Sequence, residues 1–399
     1  MKIIAVETLR PSIQPNLLFL QLHSSEGRIG LGEAFFGAKT VESYIHETVA
    51  KLLLSHPNPT PEAINMLLSP YLGYQGAGAE VRGNGAVDLA LWDLLGQVTE
   101  RPLVELLGGP VRDSIKVYNT CAGSGYVSSS TRQRSDNWGL AGTKSNDRWE
   151  DLEAFLTRPA ELARELMSEG ITGMKVWPFD RAAEASSGNY ISDYDLAAGI
   201  AIIAEIRDAV GMKMDLMVEL HGLWNRSSAT RILRALTPYD LYWVEDPIRP
   251  DAVHALSRLA QETSVPIATG ETCVGRRGFV PLLERGAIDI ATVDVQWSGG
   301  LTEARKVASL ADLYGVPVAP HDCTGPATLA ACAHLVLSQP NGLIQETVRS
   351  FLRTWYGELV TGLPEIQDGR LVLSRSPGHG VKLRTDYPEG EMSRVVTAL

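Results

Sequence analysis

Asp215-Leu-Met-Val-Glu219, Leu241-Tyr-Trp-Val-Glu245 and Pro266-Ile-Ala-Thr-Gly-Glu271 each run through apolar residues into a glutamate, and the three glutamates stand 26 residues apart. A run of that length fits a buried strand, and the period fits one strand–helix unit. Repeated units of this kind close into a barrel, and the C-terminal ends of its strands face the active site. Three neighbouring strand ends that each bear a carboxylate make a cage for a hard divalent cation such as Mg²⁺, which takes oxygen ligands.

The rhythm extends in both directions. Lys116–Cys121, Gly173–Trp177, Ile288–Asp294, Val316–Pro320 and Leu343–Glu346 have the same strand character and bring the number to eight. Amphipathic helical stretches such as Tyr194–Val210 and Thr302–Tyr314 fall between them. The expected architecture is an α/β, TIM-like barrel over residues 115–350. Residues 1–114 lack this rhythm. They open with strand-like Lys2–Leu9 and Asn16–His23, turn at Glu26-Gly27, and continue with helical Val41–Leu54 and Pro61–Leu68. A glycine-rich loop, Gly73–Gly78, then precedes a long amphipathic helix through Val98. Strands followed by helices predict a separate α+β domain that caps the barrel. Leu106-Leu-Gly-Gly-Pro110 reads as a helix stop and boundary. Residues 351–399 carry no further strand–helix unit and are expected to pack back on the first domain. Two insertions, Gly123–Trp149 and Phe179–Ser192, follow strand ends, which makes each a rim of the active-site mouth or a solvated loop.

The bulk numbers narrow the function. The 399 residues suffice for a large barrel plus a smaller domain, and 44% hydrophobic with 21% charged residues is ordinary for a soluble globular protein. A net charge of −11 argues against nucleic acid and against anionic membrane surfaces, since both need clustered Lys and Arg. A small anionic substrate stays open, because a bound divalent ion reverses the local field. The opening Met1-Lys-Ile-Ile-Ala-Val-Glu7 is too short in apolar residues for a signal peptide, and no transmembrane run is present. Cys121, Cys273, Cys323 and Cys332 show no CxxC spacing, so reduced thiols in a cytoplasmic enzyme are expected.

Strands two to eight each deliver an ionisable group to one face: Lys175, Glu219 with His221, Glu245, Glu271, Asp294, His321 with Asp322, and Glu346. An aspartate at hydrogen-bond distance fixes the tautomer of an imidazole and raises its basicity, so His321 and Asp294 on adjacent strands suggest a catalytic dyad. Lys175 lies between Met174 and Val176, a packed setting for a functional lysine. Asp322 reads equally well as the cap of the next helix.

These residues resemble the enolase superfamily in its mandelate racemase-like branch. The resemblance rests on Asp88-Leu-Ala-Leu-Trp-Asp93-Leu-Leu-Gly96, Pro102 and Leu106-Leu-Gly-Gly109 in the first domain. In the barrel it rests on Trp243-Val-Glu-Asp-Pro247, Thr269-Gly-Glu271, Asp294, Gly299-Gly-Leu-Thr-Glu303, Ala319-Pro-His321 and Gln345-Glu346. It implies a (β/α)₇β barrel, Mg²⁺ on Glu219, Glu245 and Glu271, and His321 with Asp294 as general base or acid. It further implies removal of the proton beside a carboxylate to give an enediolate, and a homo-oligomer, since the family commonly forms dimers or octamers. Glu346 is implied as a donor to the substrate carboxylate, which requires it to be protonated and its pKa raised. Lys175 supplies positive charge near that carboxylate.

Racemases of the branch often carry Lys-x-Lys on the second strand, and here the second position is Trp177. A histidine instead follows the first ligand, as Glu219-Leu-His221, which is similar to acid-sugar dehydratases of the galactonate type. Glu219 departs from that type, whose first ligand is usually Asp. The expected reaction has His321 taking the α-proton and protonated His221 giving a proton to the departing β-hydroxyl, leaving a 2-keto-3-deoxy acid; the reverse assignment of base and acid, and His221 as an outer partner of the metal site, are the other readings of the two histidines. A sugar-acid cycloisomerase or epimerase, and a non-catalytic binding protein on the same scaffold, are the alternatives. Trp177, Trp224, Asn225 and Arg226 at the rim, with Arg82 and Asn84 from the first domain, are candidate substrate contacts.

Overall fold

The computed structural model describes residues 1–69, 78–128, 148–388 and 390–399. Residues 73–77 of the expected glycine-rich loop and 129–147 of the first insertion lie outside the described residues. The first domain is built on an antiparallel meander of β1 (Ile3–Pro11), β2 (Leu17–Ser24) and β3 (Ile29–Phe35). The third strand was not expected; its glycines mask the apolar alternation. Those glycines serve contact. A Cβ on Gly30 or Gly32 would lie 2.1 or 2.0 Å from the carbonyl oxygens of Ala90 and Ala86. The helix Ala79–Thr99 therefore lies directly on β3. The helical stretch expected over Val41–Leu54 is broken by a π turn at Ile45–Val49.

The parallel sheet follows chain order: β4 (Ser114–Thr120), β5 (Gly173–Val176), β6 (Asp215–Glu219), β7 (Trp243–Glu245), β8 (Ile267–Thr269) and β9 (Ile290–Ala291). The expected seventh strand, Val316–Pro320, is reduced to bridges, Ala291 with Val318 and Val318 with Gly342. These lead to β10 (Gln345–Thr347), which pairs in parallel with β4, where the order began. The remaining strands are β11 (Val360–Thr361), β12 (Glu365–Gln367), β13 (Arg370–Val372), β14 (Lys382–Leu383) and β15 (Met392–Ala398). β13 pairs antiparallel with β4, and β15 pairs antiparallel with β1, Ala5 facing Ala398 and Pro11 facing Met392.

Tyr118, Met217, Trp243, Ala268, Ile290, Ala319 and Ile344 form a separate buried cluster, drawn one each from seven of the eight parallel segments. Side chains alternate along a strand, so residues two apart share a face. Two residues beyond Tyr118, Met217, Trp243, Ala319 and Ile344 stand Thr120, Glu219, Glu245, His321 and Glu346. The apolar layer thus sets the height of the polar layer above it.

The two domains are joined through helix N-termini, whose first N–H groups have no partner within the helix. Asp88 accepts the Thr302 N–H at 2.8 Å at the start of the helix Leu301–Leu313, and Trp92 Nε1 donates to Thr302 Oγ1 at 2.8 Å. Asp93 accepts from Leu31 N at 2.9 Å and His379 N at 3.0 Å. Glu33 accepts from Ala327 N at 3.0 Å and Thr328 N at 2.7 Å, which caps the helix Pro326–Ser338.

Candidate active site

The register of the strands places the carboxylates. Glu219 on β6 sits directly opposite Glu245 on β7. Glu245 faces Ala268 on β8, so Glu271 reaches in from three residues past its strand position. Equal spacing in sequence therefore does not mean equal height on the barrel; Gly270, at φ 141°, makes the turn that brings Glu271 back. The result is one cluster, with an oxygen of each of the three carboxylates within 4.8 Å of the others.

This donor set suits a cation. Glu219 and Glu245 are buried, 2% and 0% exposed. Burial and mutual repulsion push Glu245 up to about 8 despite the neighbouring Lys175, and they push Glu271 up as well despite His321. Glu219 runs the other way: burial raises it, but His221, Lys175 and the His221 N–H outweigh that. Glu245 Oε2 accepts from Trp243 Nε1 at 2.9 Å, whereas its Oε1 has no hydrogen-bond partner. An orphaned buried carboxylate oxygen beside two more carboxylates fits a divalent ion with oxygen ligands.

Lys175, 2% exposed, lies at the hub. Its Nζ is 3.0 Å from Glu245, 3.0 Å from Glu346 and 3.4 Å from Glu219. Burial opposes its charge, but these carboxylates hold the ammonium well above the ordinary lysine range.

His321 Nδ1 is 2.9 Å from Asp294 Oδ2, and its Nε2 is 3.1 Å from Glu271. The other oxygen of Asp294 accepts from the N–H groups of Gln296 and Trp297, both at 2.7 Å. The aspartate is thereby fixed on one side and orients the imidazole on the other. Burial opposes charge on His321, yet Glu271, Glu346 and Asp294 hold it well above the usual histidine value.

Glu346 requires a correction. It was expected to be protonated; it is pushed down to about 2. Burial alone would raise it, but Lys175, His321, the Thr120 hydroxyl and the Asp322 N–H at 2.7 Å outweigh burial. An ionised carboxylate accepts and cannot donate. In that state Glu346 pairs with Lys175 at 3.0 Å. Asp322 does not cap the following helix, whose N-terminus is taken by Glu33; it is buried, and its Oδ1 accepts from Thr324.

A cavity of about 770 Å³ opens above these strand ends, lined among others by Lys175, Trp177, Glu219, His221, Glu271 and His321. A larger one, about 840 Å³, lies between the helices Pro61–Leu68 and Gly275–Glu284. Asp88 accepts from Thr302 there and Glu303 pairs with Arg276, and no histidine, lysine or cysteine is among its described lining residues, so the chemistry belongs to the first. His221 enters that cavity at φ 51°, with its N–H 2.7 Å from Glu219 Oε1 and its ring edge-on to Trp177 at 5.9 Å.

The rim residues separate. Trp177 lines the cavity. Arg82 lies over the Trp297 ring at 5.2 Å and so reaches the site through that indole, itself part of the wall. Arg226 does not join them: it pairs with Glu262 at 3.0 Å outside the cavity lining. Asn225 caps the helix Arg226–Leu236, Trp224 is buried, and Asn84 accepts from Tyr44 and donates to Leu68 O.

Two acids went unnoticed in the sequence. Asp246, directly after Glu245, lines the cavity and accepts from Thr269; burial, then Glu271 and Glu219, push its carboxyl well above the usual range. Asp180 lies 2.8 Å from His221 Nδ1. It sits in the Phe179–Ser192 insertion, which is no solvated loop: Asp180–Ser186 is helical, and Phe179, Asp180 and Ile191 are buried. An aspartate opening a short helix carries only a generic signal, that of an acid in the first turn.

Residues 4–108 match the mandelate racemase / muconate lactonizing enzyme N-terminal domain, and residues 158–387 match the enolase C-terminal domain-like family. The chain is 31% identical over 354 residues to the D-galactonate dehydratase of Variovorax paradoxus (strain S110), covering 87% of this chain and 81% of that protein. It is 30% identical over 393 residues to the D-galactonate dehydratase of Ralstonia nicotianae, covering 96% and 92%. Among solved structures, an enolase of the mandelate racemase subgroup from Agrobacterium tumefaciens is 42% identical with a TM-score of 0.88, covering 100% of this chain and 99% of that one.

Proposed function

We propose a reaction from an established premise: this chain belongs to the enolase superfamily, in its mandelate racemase / muconate lactonizing enzyme branch. The reaction is dehydration of a sugar acid, an aldonate or aldarate, to a 2-keto-3-deoxy acid. One observation carries it. His221 and His321, from the third and seventh of eight parallel segments, line one cavity together with Glu219 and Glu271 of the carboxylate cluster. An elimination needs a base on one carbon and an acid at the neighbouring leaving group, and two histidines from opposite sides supply both.

His321, held by Asp294, takes the proton beside the carboxylate through Nε2. The electron pair moves into the carboxylate, giving an enediolate, and Lys175 supplies positive charge beside it. The pair then returns to form the C2–C3 double bond as the C3–O bond breaks. His221 gives its proton to the departing hydroxyl, which leaves as water. Burial opposes charge on His221, but Asp180 and Glu219 push it up to about 10, the protonated state of a donor. The enol product tautomerises to the ketone. Mg²⁺ would be held by Glu219, Glu245 and Glu271, where it supplies electrophilic stabilisation to the substrate carboxylate and draws the charge of Glu271 away from His321.

The same reading divides the chain into a capping domain (1–114), a (β/α)₇β barrel (115–350) and a C-terminal segment (351–399) that returns to the cap. It is supported by the parallel pairings that come back to β4 and by the β1–β15 ladder. A homo-oligomer and a cytoplasmic setting with a small anionic substrate complete it. All four cysteines are free thiols, and among the described residues no helix is long and apolar enough to cross a membrane.

The test is a screen of aldonic and aldaric acids with Mg²⁺, read as 2-keto acid by semicarbazide. One or more acids should yield product, and EDTA should abolish it. Isomerised product with no 2-keto acid would turn the reading to the cycloisomerase or epimerase, and activity that survives EDTA would remove the metal.

A further inference from the structure

We infer that Asp180 is a positioning residue for the elimination step, holding His221 so that its Nε2 faces the leaving hydroxyl; this rests on the dehydratase reading. Asp180 comes from the short helix after β5, and His221 from the loop after β6. Their contact, 2.8 Å between Oδ2 and Nδ1, joins two strand–helix connections.

Three features set this pair apart from a surface ion pair. The Asp180 side chain is fully buried, and its other oxygen has no hydrogen-bond partner. A carboxylate taken out of water costs several kcal/mol unless it is paired, and the His221 imidazole lies within hydrogen-bond distance of this one. His221 is also held from other directions: its N–H lies on Glu219, its φ is 51°, and Trp177 meets its ring edge-on. Left-handed backbone at a non-glycine residue costs energy and persists where surrounding contacts over-determine it. Finally, with Nδ1 committed to Asp180, any proton that reaches a substrate in the cavity leaves from Nε2. The arrangement parallels His321, whose Nδ1 is committed to Asp294. Each histidine thus has its own buried aspartate, one for C–H cleavage and one for C–O cleavage.

In the step assigned to this pair, the C3–O bond breaks and its electron pair stays on the oxygen. The proton from His221 Nε2 completes a water molecule, and His221 ends neutral with its Nδ1–H still directed at Asp180. Loss of Asp180 leaves the ring free to turn, which slows only the step that needs the proton.

The experiment uses the full-length enzyme with Mg²⁺, an acid substrate identified by the screen, and its 3-deoxy-3-fluoro analogue. Fluoride needs far less help from an acid than hydroxide does. Asp180→Asn and His221→Gln should each lower kcat on the hydroxy acid by about 10²-fold, in the range of a lost general acid, with KM little changed. Both should recover most of the wild-type rate on the fluoro analogue. Both should still exchange the C2 proton in D₂O by NMR, since His321 performs that exchange. The double variant should lose no more than His221→Gln alone, because Asp180 acts through His221. If Asp180→Asn does not fold, this comparison of the double variant with His221→Gln, in which both members of the pair are removed, carries the test. Equal losses on both substrates together with lost exchange, a kcat left unchanged by Asp180→Asn, or a double variant much worse than His221→Gln would each overturn the role of Asp180. Full activity in His221→Gln would instead overturn the dehydratase reading, and with it the inference.

Discussion

Replacing Glu245 with Gln tests the crowding of the three carboxylates on the pH scale. In the ion-free protein, burial pushes the Glu245 carboxyl to about 8 from an ordinary 4.5; Lys175 pulls it down, while Glu219, Glu346 and Glu271 add to the rise. A carboxyl whose folded pKa lies above its unfolded value binds more protons folded than unfolded in the interval between them. Its contribution to stability is full below 4.5 and is lost as the pH rises through 8. At 1.36 kcal/mol per unit, a shift of this size is worth about 3–5 kcal/mol. Gln never ionises, so the variant should lack this loss. Thermal melts in EDTA at pH 5, 7 and 8.5 should show the wild type falling relative to Glu245→Gln, and the gap opening across neutral pH. Adding Mg²⁺ should narrow the gap. At a hundredfold excess over Kd the wild type gains about 2.7 kcal/mol, and the variant, short of one ligand, gains little and makes no product. A gap that does not change with pH would refute the crowding. A full Mg²⁺ shift in the variant would refute the cluster as the cation site.

Three other outcomes follow from separate parts of the molecule. His321→Asn should stop both product formation and C2 proton exchange in D₂O, with a loss of about 10²–10⁴-fold, and Asp294→Asn should fall in the same range because the imidazole loses its orienting partner. His334 is buried, and burial, then His379, push it down to about 3. The unfolded chain therefore binds the extra proton, and stability is lost as the pH falls from 6.5 towards 3, by about 2 kcal/mol at pH 5; urea melts of His334→Asn, which keeps an acceptor for the Val104 N–H, should be flatter over that range. Gly32→Ala should lower the urea midpoint by an amount equivalent to about 1–3 kcal/mol, the usual cost of overpacking, because its Cβ meets the backbone of a helix and not a flexible side chain.

The parallel strands were legible because they are buried on both faces, so residues 216–218 and 241–244 appear as unbroken apolar runs, each followed by a carboxylate of the cluster. The same logic located Lys175, Asp294 and His321. It failed where the signal is not periodic. β3 reads Ile-Gly-Leu-Gly-Glu-Ala-Phe, and the two glycines that admit the helix also erase the strand pattern. The seventh strand is held by isolated bridges, so its boundaries have no sharp counterpart in sequence. Asp180 matters only through His221, 41 residues away, a contact that no local pattern encodes. The protonation of Glu346 was misjudged for a related reason: its state is set by Lys175, His321, Thr120 and Asp322, which arrive from four different parts of the chain.

The first domain does more than cover the barrel. Glu33, on β3, accepts from Gln296 Nε2 at 3.2 Å while it caps the helix Pro326–Ser338. The backbone N–H of the same Gln296, with that of Trp297, holds the oxygen of Asp294 that His321 does not use. The Trp297 ring lies 5.1 Å from the His321 ring, and Arg82 of the first domain lies over the same indole at 5.2 Å. Two lines of contact, which meet at the neighbouring residues Gln296 and Trp297, thus run from the first domain to His321. The carboxylates Glu219 and Glu245 are placed by strand register and by contacts from Lys175, Trp243 and His221, all on or beside the parallel strands. The carboxylate cluster and the proposed base therefore have different structural supports in this chain: the parallel strands build the first, and contacts from the first domain reach the second.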